Sequence, residues 1–145
     1  MSNLPTIKIT FFLEGDEFSE EKVSTKLGMT PDEFRTKDDW PDAIKNAIDL
    51  PSHLRPRTGW SIDVKRESCC AVSDQFEKMM DLFKGKESMI NELCEELNLS
   101  TAFVVVIEME GGDRPEMVLT KEIVNFISSI NAEIGFDLYI DDAEI

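Results

Sequence analysis

Residues 103–107 read Phe-Val-Val-Val-Ile, and this stretch decides the fold because it is apolar at every position. Its valines and its isoleucine are β-branched, which favours extended backbone. An apolar run without alternation is typical of a strand that is covered on both faces or nearly so. We therefore expect a central strand here, followed by a turn at 110–113, where the sequence reads Glu-Gly-Gly-Asp.

On the carboxyl side of this strand, the pattern predicts a short strand at 117–119, then a helix and a last strand. Thr120 is placed to cap the helix, with Leu119 and Val124 as a hydrophobic staple. The buried face of this helix would carry Ile123, Phe126, Ile127 and Ile130. In the last segment, apolar residues alternate with polar ones, which predicts a strand, at Ile134, Phe136, Leu138 and Ile140.

On the amino side, two amphipathic helices precede the central strand. Ser73 is placed to cap the first of them, and Gly85 separates the two. Before these helices, the alternation of apolar and polar residues at 60–65 predicts another strand. The segment 36–57 lacks a clear period, although an apolar face at 43–48 could form a brief helix.

The chain opens with an alternating strand at 7–13. A helix then begins after Ser19, whose hydroxyl can cap free amides, and it ends at Gly28. Thr30 and Glu33 form a capping-box pattern around Pro31, which predicts a second short helical turn.

The order of these elements is strand, helix, strand, paired helices, strand, strand, helix, strand. It predicts an α+β fold, namely a two-layer sandwich in which a mixed or antiparallel sheet of about five strands carries helices mainly on one face. A weak internal βα echo relates residues 7–27 to residues 103–130. Because the sequence shows no linker, tandem repeat or low-complexity segment, we expect a single acidic domain over 1–145.

The chain is strongly acidic, since 30 Asp and Glu against 15 Lys and Arg give a net charge of −15 on 145 residues. The charged residues that follow Lys121 are all acidic: Glu122, Glu133, Asp137, Asp141, Asp142 and Glu144. Such a surface repels nucleic-acid phosphates and anionic lipids, and it attracts basic proteins. We therefore expect a basic protein as the partner, and binding to neither nucleic acid nor membrane.

Two further features bear on location. Residues 1–5 lack a basic flank followed by an apolar stretch, and the longest apolar run, 102–107, is too short to span a bilayer. The three cysteines cannot all pair within one chain, and a bond between adjacent Cys69 and Cys70 would be strained. We expect free thiols and a cytoplasmic protein.

Short motifs spread over most of the chain carry a family resemblance. They are the opening strand, the acidic helix that ends in Leu27-Gly28, the Thr30-Pro31 step, Gly59-Trp60 after Arg55-Pro56-Arg57, the apolar strand near Val105, and the closing Phe136-Asp137-Leu138-Tyr139. In these motifs the chain resembles a family of bacterial proteins filed as domain of unknown function 4279. Residues 37–54 depart from the family pattern, in which a shorter link is expected. The resemblance brings no catalytic residues, but it implies a small intracellular domain, and some relatives look like immunity proteins that neutralise secreted bacterial toxins.

Within the departing segment, Trp40 is surrounded by the carboxylates of Asp38, Asp39 and Asp42. A large aromatic side chain among acidic residues suits the anchor of a contact with a basic partner. The alternative is that Trp40 covers the core beneath a loop. We predict that these four residues belong to the partner-binding surface.

Asp137, Asp141 and Asp142 form a second candidate site near the end of the chain. Asp137 and Asp141 would point to the same side of an extended segment, and carboxylate oxygens suit a hard cation. The plainer interpretation is a sheet edge that charge keeps soluble. We predict no metal here, and we add the three residues to the partner-binding surface. The alternative function is a small ligand-binding domain or enzyme with a carboxylate pocket near Asp137 and Tyr139.

No catalytic motif stands out. His53 is the only histidine, so any Ser-His-Asp or Cys-His mechanism would have to use it. One histidine and two adjacent cysteines also lack the spaced pairs of a structural zinc site. We therefore expect neither enzyme activity nor a cofactor. Charge and resemblance together predict an immunity or antitoxin-like protein that occludes a basic toxin domain, such as a nuclease.

Overall fold

The structure, a computed structural model, describes residues 4–42, 57–111 and 113–141. The strands are β1 (Thr6–Gly15), β2 (Glu33–Arg35), β3 (Thr58–Ser68), β4 (Ser100–Glu110) and β5 (Glu133–Asp141). The helices are α1 (Glu20–Leu27), α2 (Val72–Leu82), α3 (Glu87–Leu97) and α4 (Lys121–Ser129), and a 3-10 turn covers Lys37–Asp39.

The five strands form one mixed sheet in the order β2-β3-β1-β4-β5. β1 lies in the middle and pairs antiparallel with both β3 and β4. β2 is antiparallel to β3, whereas β5 runs parallel to β4. Parallel neighbours require a crossover connection, which the segment containing α4 supplies. β2 and β5 are therefore the two edge strands of this sheet.

One hydrophobic core fills the space between the sheet and the helices. Phe11 is fully buried, and its ring centroid lies 4.6 Å from that of Phe83 and 5.1 Å from that of Phe103. All four described helices contribute to this core, whereas β1 contributes only alternate residues, at Ile7, Ile9, Phe11 and Leu13. The helices therefore cover one face of the sheet, which confirms the predicted α+β sandwich.

Two helices begin at the capping residues that the sequence predicts. The Ser19 hydroxyl accepts a hydrogen bond from the Lys22 N–H, and Gly28 ends α1 with a positive φ of 65°. Thr120 caps α4 in the same way by accepting from the Ile123 N–H. A glycine is favoured at the end of α1 because a Cβ makes this left-handed conformation costly.

The second helical turn predicted after Thr30 is wrong, because residues 33–35 form β2 instead. Phe34 pairs with Trp60, and the Asp32 N–H donates to the Ser61 carbonyl at 2.8 Å. Pairing with β3 satisfies backbone groups over the whole segment, so tertiary structure overrides the local cap signal. The brief helix considered at 43–48 lies outside the described residues.

Two other local predictions are also wrong, for a related reason. α2 begins at Val72 rather than after Ser73, because the Val72 N–H donates to the Glu116 carbonyl at 2.9 Å. Residues 117–119 do not form a strand, and this part of the chain makes only an isolated bridge between Ala71 and Glu116. Contact between two distant segments of the chain, at residues 71–72 and 116, thus replaces both the expected cap and the expected strand.

The cysteines are free, as expected, with Cys70 exposed and both Cys69 and Cys94 partly buried. The half-burial of Cys94 raises the pKa of its thiol by desolvation. Among the described residues, no helix has the length and apolar character that crossing a membrane requires.

Candidate functional site

The face of the sheet opposite the helices is called the open face here. Near its centre, the half-buried apolar side chains of Phe12, Ala102, Val104 and Val106 lie on β1 and β4, beside Lys8 and Thr10 of β1. β4 was expected to be covered on both faces or nearly so. Its helix face is buried, whereas on its open face residues 102, 104 and 106 are half-buried and residues 100, 108 and 110 are exposed. An apolar patch bordered by charged residues is typical of a surface that contacts another molecule.

The Trp40 corner of the open face consists of Trp40, Arg35, Arg57 and Phe12, which line a shallow cavity of about 280 Å³ beside β2 and β3. The indole N–H of Trp40 donates to the Arg57 carbonyl oxygen at 3.1 Å. The Arg35 guanidinium lies 5.9 Å from the centre of the indole ring, within cation–π range. Trp40 is thus half-buried and held in place on the open face, rather than covering the main core.

The acidic residues next to Trp40 have different surroundings. Asp39 closes a capping box, since its Oδ2 accepts from the Thr36 N–H at 2.9 Å and from the Thr36 hydroxyl at 3.1 Å. Asp38 and Asp42 are exposed. Asp39 therefore has a structural role, and its side chain is exposed like those of Asp38 and Asp42.

The second candidate site lies at the opposite edge of the sheet, on β5. Asp137 pairs with Val106 and Asp141 pairs with Glu110, so both side chains lie on the open face with Glu133 and Tyr139. All four are exposed, and Tyr139 is 58% exposed. Asp142 lies outside the described residues. The structure thus separates the two predicted acidic clusters and does not combine them into one site.

The other face of β5 is apolar and incompletely covered. Ile134 still packs against the core, but exposure then rises along the strand, from 38% at Phe136 to 48% at Leu138 and 59% at Ile140. The alternation predicted for this strand is confirmed, and its apolar row is more exposed than that of β1. A strand at a sheet edge shows the same alternation as an interior strand, so the sequence pattern could not reveal this exposure.

An open groove of about 740 Å³ crosses the end of the sheet next to β5. It is lined by Leu4, Thr6, Ser68, Glu108, Met109, Glu110, Tyr139, Ile140 and Asp141. Beside it, Arg66 Nη1 donates to the Thr6 hydroxyl at 3.0 Å and lies 3.3 Å from a Glu108 carboxylate oxygen. The sequence did not indicate this cluster, because it depends on the register of three strands. Asp137 does not line the groove, although Tyr139 does.

Potential metal ligands are dispersed in the part of the chain that the structure describes, where no group of three could hold an ion. His53 lies outside that part. In the helical layer, two ion pairs join α1 to α3: Lys22 with Glu96 at 2.6 Å, and Lys26 with Glu92 at 2.7 Å. The hydrogen bond from Lys22 lowers the pKa of Glu96, and the hydrogen bond to Glu92 raises the pKa of Lys26.

Comparison with known proteins bears on the family. Among curated proteins and among solved structures, no significant match was found. The family model described as Domain of unknown function (DUF4279) matches residues 5–141, which include every strand and helix given above. The chain therefore belongs to this family, as its motifs indicated.

Proposed function

We propose that this protein is a non-enzymatic binding protein of the immunity or antitoxin type, which occludes a basic toxin domain. The observation that carries the proposal is β5, an edge strand with an acidic row on one face and an exposed apolar row on the other. Exposed apolar side chains favour burial against a partner. The carboxylates beside them favour a partner of opposite charge.

The charge distribution supports a basic partner in particular. β5 carries three acidic residues in the described chain and no basic residue, and the chain as a whole has a net charge of −15. Charges of one sign raise the rate of encounter with an oppositely charged surface, most strongly at low ionic strength. A nuclease fits because it must present a basic surface to the phosphates that it binds. An acidic protein seated on that surface would exclude the nucleic acid.

This proposal assigns no chemical step to the protein. Inhibition would result from blockade, with charge accelerating association and apolar burial slowing dissociation. A cytoplasmic location and the lack of binding to nucleic acid remain predictions that go with it.

The test is recovery of the partner from lysate of the native host with the tagged, full-length protein as bait. The expected partner is a basic protein whose binding weakens as salt concentration rises and whose own activity is lost in the complex. Recovery of an acidic partner, or of a partner that stays fully active when saturated, would contradict the proposal. Binding of the purified protein itself to labelled DNA or RNA at low salt would also count against it.

The alternative is a small ligand-binding domain or enzyme, and the groove beside Tyr139 is the observation that favours it. The groove combines a phenol with the carboxylates of Glu108 and Asp141, which could bind a cationic metabolite. Mass spectrometry of the purified protein under native conditions tests this directly. A stoichiometric small molecule, lost on Tyr139→Ala but kept on Trp40→Phe, would favour the alternative over a binding protein.

A further inference from the structure

The outer edge of β5 has a defined set of backbone groups. The Asp141 carbonyl accepts from the Gly111 N–H at 3.2 Å, so the backbone groups of Asp141 face β4. The N–H and C=O of one strand residue point to the same side, and those of its neighbours point to the other side. The residues whose backbone groups point away from β4 are therefore Ile134, Phe136, Leu138 and Ile140.

These four residues also carry the apolar row. Their side chains lie on the helix face of the sheet, where Phe136, Leu138 and Ile140 are exposed. In the portion of the chain that the structure describes, no strand pairs with this edge of β5. A strand added here would thus gain main-chain hydrogen bonds and apolar contacts at the same residues.

The opposite row of β5 specifies the charge of such a strand. Side chains of paired strands that face the same way lie next to each other, so Glu133 and Asp137 would meet alternate residues of the added strand. Opposite charges at those positions are favourable, and like charges are unfavourable. An added strand should therefore carry Lys or Arg on the open face and apolar residues on the helix face.

The same charges argue against a second copy of this chain as the occupant. Two β5 strands paired edge to edge would bring one acidic row against another, with no basic residue on either strand. Charged residues at a sheet edge are a common device against self-association. The edge of β5 therefore favours a basic partner strand and disfavours a second copy of this chain.

We propose that β5 binds its partner by strand addition, and that the incoming segment alternates apolar residues with Lys or Arg. This inference rests on the proposed function and specifies how the basic partner is held. It extends the sheet to a sixth strand while the helices and the rest of the open face keep their places.

The first experiment uses two synthetic peptides of the length of β5, one alternating Val and Lys and the other alternating Val and Glu. Amide hydrogen exchange of the full chain is followed by NMR at low salt. With the Val-Lys peptide, exchange should slow at the outward amides of Ile134, Phe136, Leu138 and Ile140. The Val-Glu peptide should leave these rates unchanged.

The second experiment uses Leu138→Pro, which removes an outward N–H from an edge strand that tolerates proline on that side. Leu138→Ala is the matched control, because it shortens the side chain and keeps the N–H. We expect the proline variant to lose affinity for the Val-Lys peptide by about tenfold, and the alanine variant to lose clearly less. If the proline variant does not fold, the exchange measurement on the unmodified chain still decides the matter.

The outcomes separate the binding mode from the proposed function. Binding of the Val-Lys peptide without protection of those four amides overturns strand addition and leaves an acidic binding surface. A captured basic partner that binds Leu138→Pro and Leu138→Ala equally well also overturns strand addition alone. Protection of the four amides that increases with protein concentration, without any peptide, identifies a second copy as the occupant and overturns the inference.

Discussion

The indole nitrogen of Trp40 lies 3.1 Å from the backbone carbonyl oxygen of Arg57, which connects the 3-10 turn region to the start of β3. This hydrogen bond fixes the aromatic ring on the open face next to Phe12 and Arg35. Trp40 consequently helps to stabilise the free protein, independently of any partner that also contacts it.

The hydrogen bond between Trp40 and Arg57 gives the first prediction, which concerns stability. Trp40→Phe keeps an aromatic ring but removes the N–H, and should lower the free energy of unfolding by about 1 kcal/mol. Trp40→Ala also removes the ring beneath Arg35, and should cost about 2 kcal/mol in total. Denaturant unfolding measures both. Equal stability of the unmodified protein and both variants would show that neither the hydrogen bond nor the ring contributes to stability.

The second prediction compares the two acidic clusters as docking sites through three double variants with the same change in net charge. They are Glu133→Lys with Asp137→Lys on β5, Asp38→Lys with Asp42→Lys near Trp40, and Asp74→Lys with Glu77→Lys on α2. The β5 variant should slow association with the captured partner by about tenfold at low salt and flatten its salt dependence, because the charges that steer encounter are lost. The α2 variant is the control for net charge.

Surface-binding kinetics at several salt concentrations give the association rates for this comparison. If the Asp38 and Asp42 variant shows the larger effect, the interface lies at the Trp40 corner. If all three variants slow association equally, net charge alone steers the encounter and neither cluster is the docking site.

The third prediction concerns the attachment of β2. Asp32 Oδ2 accepts a hydrogen bond from the Asp63 N–H at 2.7 Å, just where β2 meets β3. Asp32→Ala should lower the free energy of unfolding by about 1–2 kcal/mol, because it leaves this amide without its acceptor. Asp32→Asn keeps an oxygen acceptor and should lose less. If both variants keep the denaturant midpoint of the unmodified protein, water replaces the carboxylate at no cost.

The fourth prediction uses the different surroundings of the thiols. Cys70 is exposed, whereas desolvation raises the pKa of the half-buried Cys94 and reduces its reactive thiolate at neutral pH. Iodoacetamide should therefore label Cys70 well before Cys94, as followed by mass spectrometry. Reductant should leave the melting temperature unchanged. Faster labelling of Cys94 would contradict the packing described for α3.

The fifth prediction follows from the ion pairs between α1 and α3. Lys22 lowers the pKa of Glu96, so the stabilising contribution of this pair is present above the pKa of an unfolded Glu and is lost as pH falls through the lower folded value. Lys26 has a raised pKa, so its contribution is present below the ordinary Lys value and is lost as pH rises through the folded value. An NMR titration should find the pKa of Glu96 below its ordinary value, and Lys22→Gln should raise it. An unchanged titration in Lys22→Gln would exclude that ion pair in solution.

The sequence predicted the α+β class, the apolar strands and the caps at Ser19 and Thr120, because each depends on a short periodic pattern or a local hydrogen bond. It failed at β2 and at the start of α2, where pairing with Ser61 and with Glu116 supplies the backbone partners. These pairings join residues far apart in the chain, so local patterns do not encode them.

The candidate site was predicted only in part. The acidic row with Asp137 and Asp141 was identified from composition and spacing. Its most informative property, the exposure of Leu138 and Ile140 beside it, depends on the place of β5 at the edge of the sheet. Strand order is set by the whole topology, and alternation within one strand does not specify it.

The central place of β1 has a consequence for how the protein folds. Of the five strands, β1 is synthesised before its two pairing partners, and its pairing with β4 joins residues as far apart as Thr6 and Glu108. Closing such long loops costs chain entropy before the contacts form, which slows folding. The apolar residues of β1 therefore lack their β4 neighbours until residue 110 has been synthesised, and apolar surface left exposed in that interval favours chaperone binding and aggregation.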